Sequence, residues 1–141
     1  MAAVLGLDVG SVRIGVAICE GENLPAMPLC TIESTSRDKD VRKIIALAAE
    51  RSARTLVVGY PLKLDGSRGP AAENMDKFIA ALQKSFDGTV VAADERLTSA
   101  AANRKLLETG LSGGKRRVLV DRLAAVDILE GWLARQLRDQ S

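Results

Sequence analysis

The sequence predicts an α/β fold: a five-stranded mixed sheet with helices on both faces. Three observations lead there. The N-terminal part reads as short strands joined by tight turns, VLGLDVGSVRIGVAIC above all. Two later apolar runs, Thr55–Gly59 and Thr89–Ala93, lack alternation and suit parallel strands covered on both faces. Amphipathic helical stretches lie between and after those runs. Strands linked by turns pair antiparallel, and strands alternating with helices pair parallel.

Val4 to Leu7 is the first strand, and it delivers a carboxylate, Asp8, at its end. Val9-Gly10-Ser11 turns the chain into a second strand, Arg13–Cys19. Glu20 to Asn23 is a turn cluster. Met27–Ile32 is a third strand, weakened by Pro25 and Pro28. A helix begins near Asp38, with Val41, Ile44, Ile45 and Ala48 on one face. The loop Tyr60–Gly69 follows the carboxyl end of a strand, where α/β folds place ligands. Pro70 opens the next helix, whose apolar face is Met75, Phe78, Ile79 and Leu82. Asp87-Gly88 ends it. A further helix is expected from about Ser99 to Glu108, with Thr98 as its N-cap.

Thr109–Lys115 is glycine-rich and is expected to be a mobile loop. It lacks the glycine spacing of a Walker P-loop, and Arg116 follows Lys115 where Ser or Thr would be needed. The last helix is expected from about Val120 to Leu137. Asp121, Ala125, Ile128 and Trp132 share one stripe of it, so an aspartate heads an apolar face. Asp127 and Glu130 fall off that stripe and read as solvated.

The length, 141 residues, suits a single domain over 1–141 with one sizeable core. The formal charge is +2, so a nucleic-acid site would be a local patch rather than a general basic surface. With no histidine and two cysteines, Cys/His zinc sites and Ser-His-Asp or Cys-His mechanisms are excluded. Chemistry must rest on carboxylates, hydroxyls, Lys or Arg. Cys19 and Cys30 read as reduced thiols in apolar strands, with a bridge between neighbouring strands as the alternative. No signal peptide or membrane-length run is visible, and a cytosolic protein is expected.

Three acids end up at comparable places: Asp8 after strand one, Glu95 after the last strand, Asp121 on the last helix. If the first and last strands are near neighbours, the three converge at one sheet edge. Oxygen ligands of this kind suit hard cations such as Mg²⁺ or Mn²⁺. Two such ions about 4 Å apart can activate water and stabilise the leaving oxygen of a phosphodiester. Each acid alone could equally be a turn or helix cap.

Four motifs carry a family resemblance. They are Leu7-Asp8-Val9-Gly10 with Arg13 to Ala17, Val58 to Leu62 with Asp65-Gly66, Asp94 to Ser99, and Val120-Asp121 with Ala124-Ala125 and Ile128-Leu129. Together they resemble the YqgF/RuvX family, bacterial proteins described as Holliday junction resolvases and as pre-16S rRNA nucleases. The resemblance runs in order over nearly the whole chain and implies an RNase H-like fold. It also implies Asp8, Glu95 and Asp121 as catalytic, metal-holding residues and Mg²⁺ or Mn²⁺ as cofactor. Arg96 and Thr98 match neighbours that help position the site, and Gly10, Arg13 and Gly15 match the turn on the phosphate side. Two residues depart from the family pattern: Tyr60 stands where Leu is usual, and Asp127 where an aliphatic is common. The tyrosine could stack on a base or simply pack.

The leading expectation is a metal-dependent nuclease acting on structured nucleic acid, a ribosomal RNA precursor or a four-way DNA junction. Arg13, Arg68, Arg96, Lys115, Arg116 and Arg117 are the candidate nucleic-acid contacts, with Lys63 and Arg104 as further basic residues nearby. The resolvase reading requires a homodimer, because paired cuts need two-fold symmetry. Two other classes stay open. Asp8-x-Gly10-Ser11 also resembles the first phosphate loop of actin-like and sugar-kinase ATPases, which normally need two such domains. A non-catalytic ribosome-assembly or nucleic-acid binding module is the third.

Overall fold

The computed structural model describes residues 2–61, 65, 67, 69–94 and 114–139, with side chains in the last stretch described for 122–138. The elements are β1 (Ala3–Val9), β2 (Arg13–Cys19), β3 (Met27–Glu33), α1 (Arg37–Glu50), β4 (Ala53–Tyr60), α2 (Pro70–Ser85), β5 (Thr89–Asp94) and α3 (Gly114–Asp139). The helix expected near Ser99–Glu108 lies outside the described residues.

The strands form one five-stranded sheet in the order β3-β2-β1-β4-β5. β1 pairs antiparallel with β2, and β2 with β3. β1 pairs parallel with β4, and β4 with β5. The predicted mixed sheet is therefore present, with β4 inserted between β1 and β5. The ribbon β1–β2 closes through a backbone bond from Gly10 N–H to Arg13 O, 2.9 Å. A Cβ on Gly10 would stand 2.8 Å from that same carbonyl, which explains the glycine.

The strand pleat sorts side chains to two faces. Leu5, Leu7, Ile14, Val16, Leu56 and Val58 point to one, where Val41, Ile44, Met75, Phe78 and Leu82 of α1 and α2 cover them. Val4, Ala17, Cys19, Val57 and Ala93 point to the other, under Ala124, Ala125, Ile128 and Leu129 of α3. Helices on both faces were the expectation, and each face has its own apolar cluster.

α1 starts on Ser36, whose hydroxyl accepts from the Lys39 N–H at 3.3 Å. α2 starts with Pro70 in its first turn, as its sequence predicts. α3 corrects the sequence reading. It begins at Gly114 instead of near Val120, so Lys115, Arg116 and Arg117 belong to its first turn and not to a loop. The paired glycines Gly113-Gly114 argue for a loop by propensity, and tertiary packing of the long helix overrides that preference.

Helix and sheet approach closely at Gly6. A Cβ there would lie 2.8 Å from Leu129 Cβ and 2.9 Å from Ala125 O. Helix α3 thus rests directly on the backbone of β1. Gly6→Ala is expected to push α3 outward and to cost about 1–3 kcal/mol of stability. Urea unfolding of the two proteins, compared by midpoint at constant slope, checks this.

Candidate active site

Asp8 lies inside the end of β1, opposite Gly15 of β2, and only 5% of its surface is exposed. It shares the even-numbered face of β1 with Val4 and Gly6, so its side chain projects toward the α3 side of the sheet. A carboxylate this buried must be hydrogen-bonded, paired or bound to a cation, and Asp8 has an interaction partner of its own.

The other two acids are set by the chain around them. Leu7 is level with Val58, and Val58 with Ala92. One step further puts Asp8 level with Ala93, two strands away, about 10 Å across the sheet. Asp94 ends β5 in register with Tyr60, at the same sheet edge as Asp8. Glu95 follows it and lies outside the described residues, as do Arg68 and Arg96. Position 121 is in α3, four residues before Ala125, whose carbonyl oxygen stands over Gly6. One turn of helix is about 6 Å, and Gly6 to Asp8 along the strand is about 7 Å. The backbone at 121 is therefore on the face of the sheet to which Asp8 projects. The side chains of Asp121, Lys115, Arg116 and Arg117 are outside the described residues.

A second observation fixes this end of α3. Arg122 Nε donates to Thr31 Oγ1 of β3 at 3.0 Å. Thr31 pairs with Gly15, and Gly15 with Asp8. The third turn of α3 thus reaches the Thr31 end of the row Asp8–Gly15–Thr31, and its continuation crosses β1 at Gly6. Sequence reasoning missed Arg122, because its partner lies 91 residues upstream. Arg13 opens β2 on the same face as Gly15, half-exposed, and has an interaction partner of its own.

On the opposite face, at the same edge, is a cleft of about 530 Å³ between the starts of α1 and α2. The turn Val9–Ser11 forms one wall, Arg37 and Asn74 lie at its sides, and Phe78 lines it too. Asp40 also lines it and was missed from sequence. It is 3% exposed and accepts from Ser34 Oγ at 2.6 Å and from the Thr35 N–H at 3.0 Å. The signal was there, an acid in the first turns of a helix after Ser34-Thr35-Ser36. These bonds give it a structural role. Tyr60 is resolved in the same way. Its ring packs against the α1–α2 core and its hydroxyl donates to Asp76 Oδ1 at 2.7 Å, so it packs rather than offering a free stacking face.

Both cysteines are free. Cys19 points to the α3 face and donates to Gly21 O and Leu24 O, whereas Cys30 packs on the α1–α2 face. The sheet itself separates them, which removes the disulfide alternative. Asp127 is half-exposed with a partner of its own, and Glu130 is exposed. Among the described residues no group of three His, Cys, Asp or Glu side chains is placed to hold a metal ion, and no helix is long and apolar enough to cross a membrane.

A mixed sheet of this order, flanked by helices on both faces and carrying a buried aspartate at the end of its central strand, defines an RNase H-like fold. The chain resembles the T. thermophilus RuvC in complex with Holliday junction substrate, with a TM-score of 0.59, 15% identity and 96% of each chain covered. It resembles the fowlpox virus Holliday junction resolvase with a TM-score of 0.50 at 12% identity, over 87% of this chain and 94% of that one. At such identities the likeness is one of fold.

Sequence carries the family. A family model described as "RuvX: Holliday junction resolvase" matches residues 2–135, and the chain belongs to that family. A Myxococcus xanthus relative named "Putative pre-16S rRNA nuclease" is 43% identical over 129 residues, 92% of this chain and 85% of the relative. A Clostridium perfringens relative of the same name is 40% identical over 132 residues, covering 94% and 96%.

Burial raises the Cys30 thiol above its ordinary value of 9.0, against the pull of Arg122 and Arg51 and with help from Glu50. The folded chain thus holds this proton at a pH where the unfolded chain has released it. Its stabilising contribution is complete below pH 9.0 and declines as pH rises through the raised folded value. Cys30→Ala is expected to flatten the alkaline decline in thermal midpoint between pH 8 and pH 10.5, read as the difference between paired melts.

Proposed function

We propose that this protein is a metal-dependent endonuclease that hydrolyses phosphodiester bonds in structured nucleic acid, with the end of the pre-16S rRNA as its substrate. The single observation that carries the reading is Asp8, a nearly buried carboxylate at the end of a central strand, on the sheet face covered by the helix that bears Asp121. The names of the curated relatives point to the same chemistry.

The donor set fits a hard cation. The carboxylates at hand are oxygen donors, and the chain holds no histidine to favour a softer metal. Asp8, Glu95 and Asp121 would hold one or two Mg²⁺ or Mn²⁺ ions. Such ions activate water and offset charge on the phosphate. The chain's own part is placement. The β1 backbone fixes Asp8, the end of β5 leads into Glu95, and α3 carries Asp121. Arg13, Arg68, Arg96, Lys115, Arg116 and Arg117 would meet backbone phosphates without reading sequence.

The description of the matching family keeps a second reading, resolution of four-way DNA junctions. That activity needs two copies related by a two-fold axis. Sedimentation of the protein with and without a junction separates them, since a dimer on the junction supports resolution and a monomer supports RNA processing.

Asp8→Asn keeps size and shape and removes the charge. It is expected to fold normally by circular dichroism and to lose more than about 100-fold in cleavage rate. The assay uses a precursor rRNA fragment and a four-way junction in parallel, with Mg²⁺, Mn²⁺ or chelator. Undiminished metal-dependent cleavage by the variant would overturn the assignment.

A further inference from the structure

We propose that Arg122 is an anion receptor on the Asp8 face of the sheet, and that its ligand is a backbone phosphate flanking the one to be cleaved. The identity of the ligand rests on the nuclease reading above; the existence of the anion site does not.

The first argument is charge. Arg122 is half-buried, and among the described residues its only polar contact is with the neutral hydroxyl of Thr31. No carboxylate among those residues lies within ion-pair distance of it. The nearest acid on β3 by sequence and face is Glu33, two residues along from Thr31, and it makes no such pair. A half-buried guanidinium whose described partners include no carboxylate is partly desolvated, and an incoming anion offsets that cost.

The second argument is orientation. Nε is committed to Thr31, which pins the plane of the guanidinium to β3. The two terminal amino groups remain as parallel donors, the fork that matches two oxygens of a phosphate. A lysine could not be held this way, because it has no second donor set fixed by the first.

The third argument is location. The row Asp8–Gly15–Thr31 runs across β1, β2 and β3, and Arg122 stands over its far end. Two strand spacings separate Thr31 from Asp8, about 10 Å. Between them is Gly15, which has no side chain to block the row. Arg122 is too far from Asp8 to share its phosphate, so it holds a neighbouring one. Arg13, two residues from Gly15 on the same face, extends the positive field along the same path.

The test is made in the Asp8→Asn background, where binding is read without cleavage. Anisotropy of the labelled rRNA fragment and of the four-way junction is measured in Mg²⁺ from 50 to 200 mM salt. Arg122→Met, which keeps the apolar stem, is expected to weaken binding about tenfold and to lower the salt slope by about one. Its thermal midpoint should equal or exceed that of the parent, since a half-buried charge with no carboxylate partner among the described residues is gone. Arg122→Lys should recover the slope and only part of the affinity. Thr31→Val should retain the slope and lose affinity, because the guanidinium is no longer oriented. An unchanged slope and affinity in a folded Arg122→Met protein would overturn the proposal. So would a loss of binding accompanied by a lowered thermal midpoint and not recovered by Lys. If Asp8→Asn cleaves like wild type while Arg122→Met still lowers the slope, the nuclease site fails and the anion site stands. If wild type binds neither probe, the Arg122 Nε–H resonance is followed with inorganic phosphate. A saturable shift then supports the site, and none rejects it.

Discussion

Everything at the candidate site depends on how closely α3 lies on β1. Gly6 has no Cβ, and Leu129 and Ala125 occupy the space one would need. That contact sets the height of the helix above the sheet. Ala125 and Leu129 are fully buried there, so the helix has no room to slide without opening a void. The height of α3 in turn sets the distance between the carboxylate of β1 and the residues one turn up the helix. Small residues in this seam, Gly6, Ala17, Ala124 and Ala125, therefore help set the geometry of the candidate site.

The two faces of the sheet divide the labour. The α1–α2 side holds the larger apolar cluster, with Leu5, Leu7, Ile14, Val16, Leu56 and Val58 buried against Ile44, Phe78 and Leu82. It makes β1 rigid. The α3 side is thinner and carries the charged groups, Asp8 near one end of a row and Arg122 near the other. A rigid strand with one polar end is a good mount for a carboxylate, because the backbone cannot relax to expose it. The same logic explains Asp40. It sits buried at the start of α1, but Ser34 and Thr35 satisfy both its oxygens, so its burial holds a loop in place.

The particular residues show why some readings succeed from sequence and others need coordinates. Asp8 was visible because an acid after an apolar strand is rare without a reason. Tyr60 was ambiguous, since its partner Asp76 is on a different element and no spacing rule links them. The start of α3 was misplaced because Gly113-Gly114 reads locally as a loop, and only burial of the helix against the sheet outweighs that preference. Cys19 and Cys30 sit on the neighbouring strands β2 and β3, yet the pleat puts them on opposite faces.

By itself the sequence determined the five strands in order, the first two helices, the mixed sheet, the absence of histidine chemistry and the family to which the chain belongs. These follow from local periodicity, turn chemistry and motif content, which the chain carries at short range. Only the tertiary structure decided that β4 stands between β1 and β5, that Asp8 faces α3 and not α1, and that Arg122 reaches Thr31 across the sheet. Those are long-range facts. They depend on strand register and on how closely a helix can approach a glycine, and neither is written in the neighbourhood of any one residue.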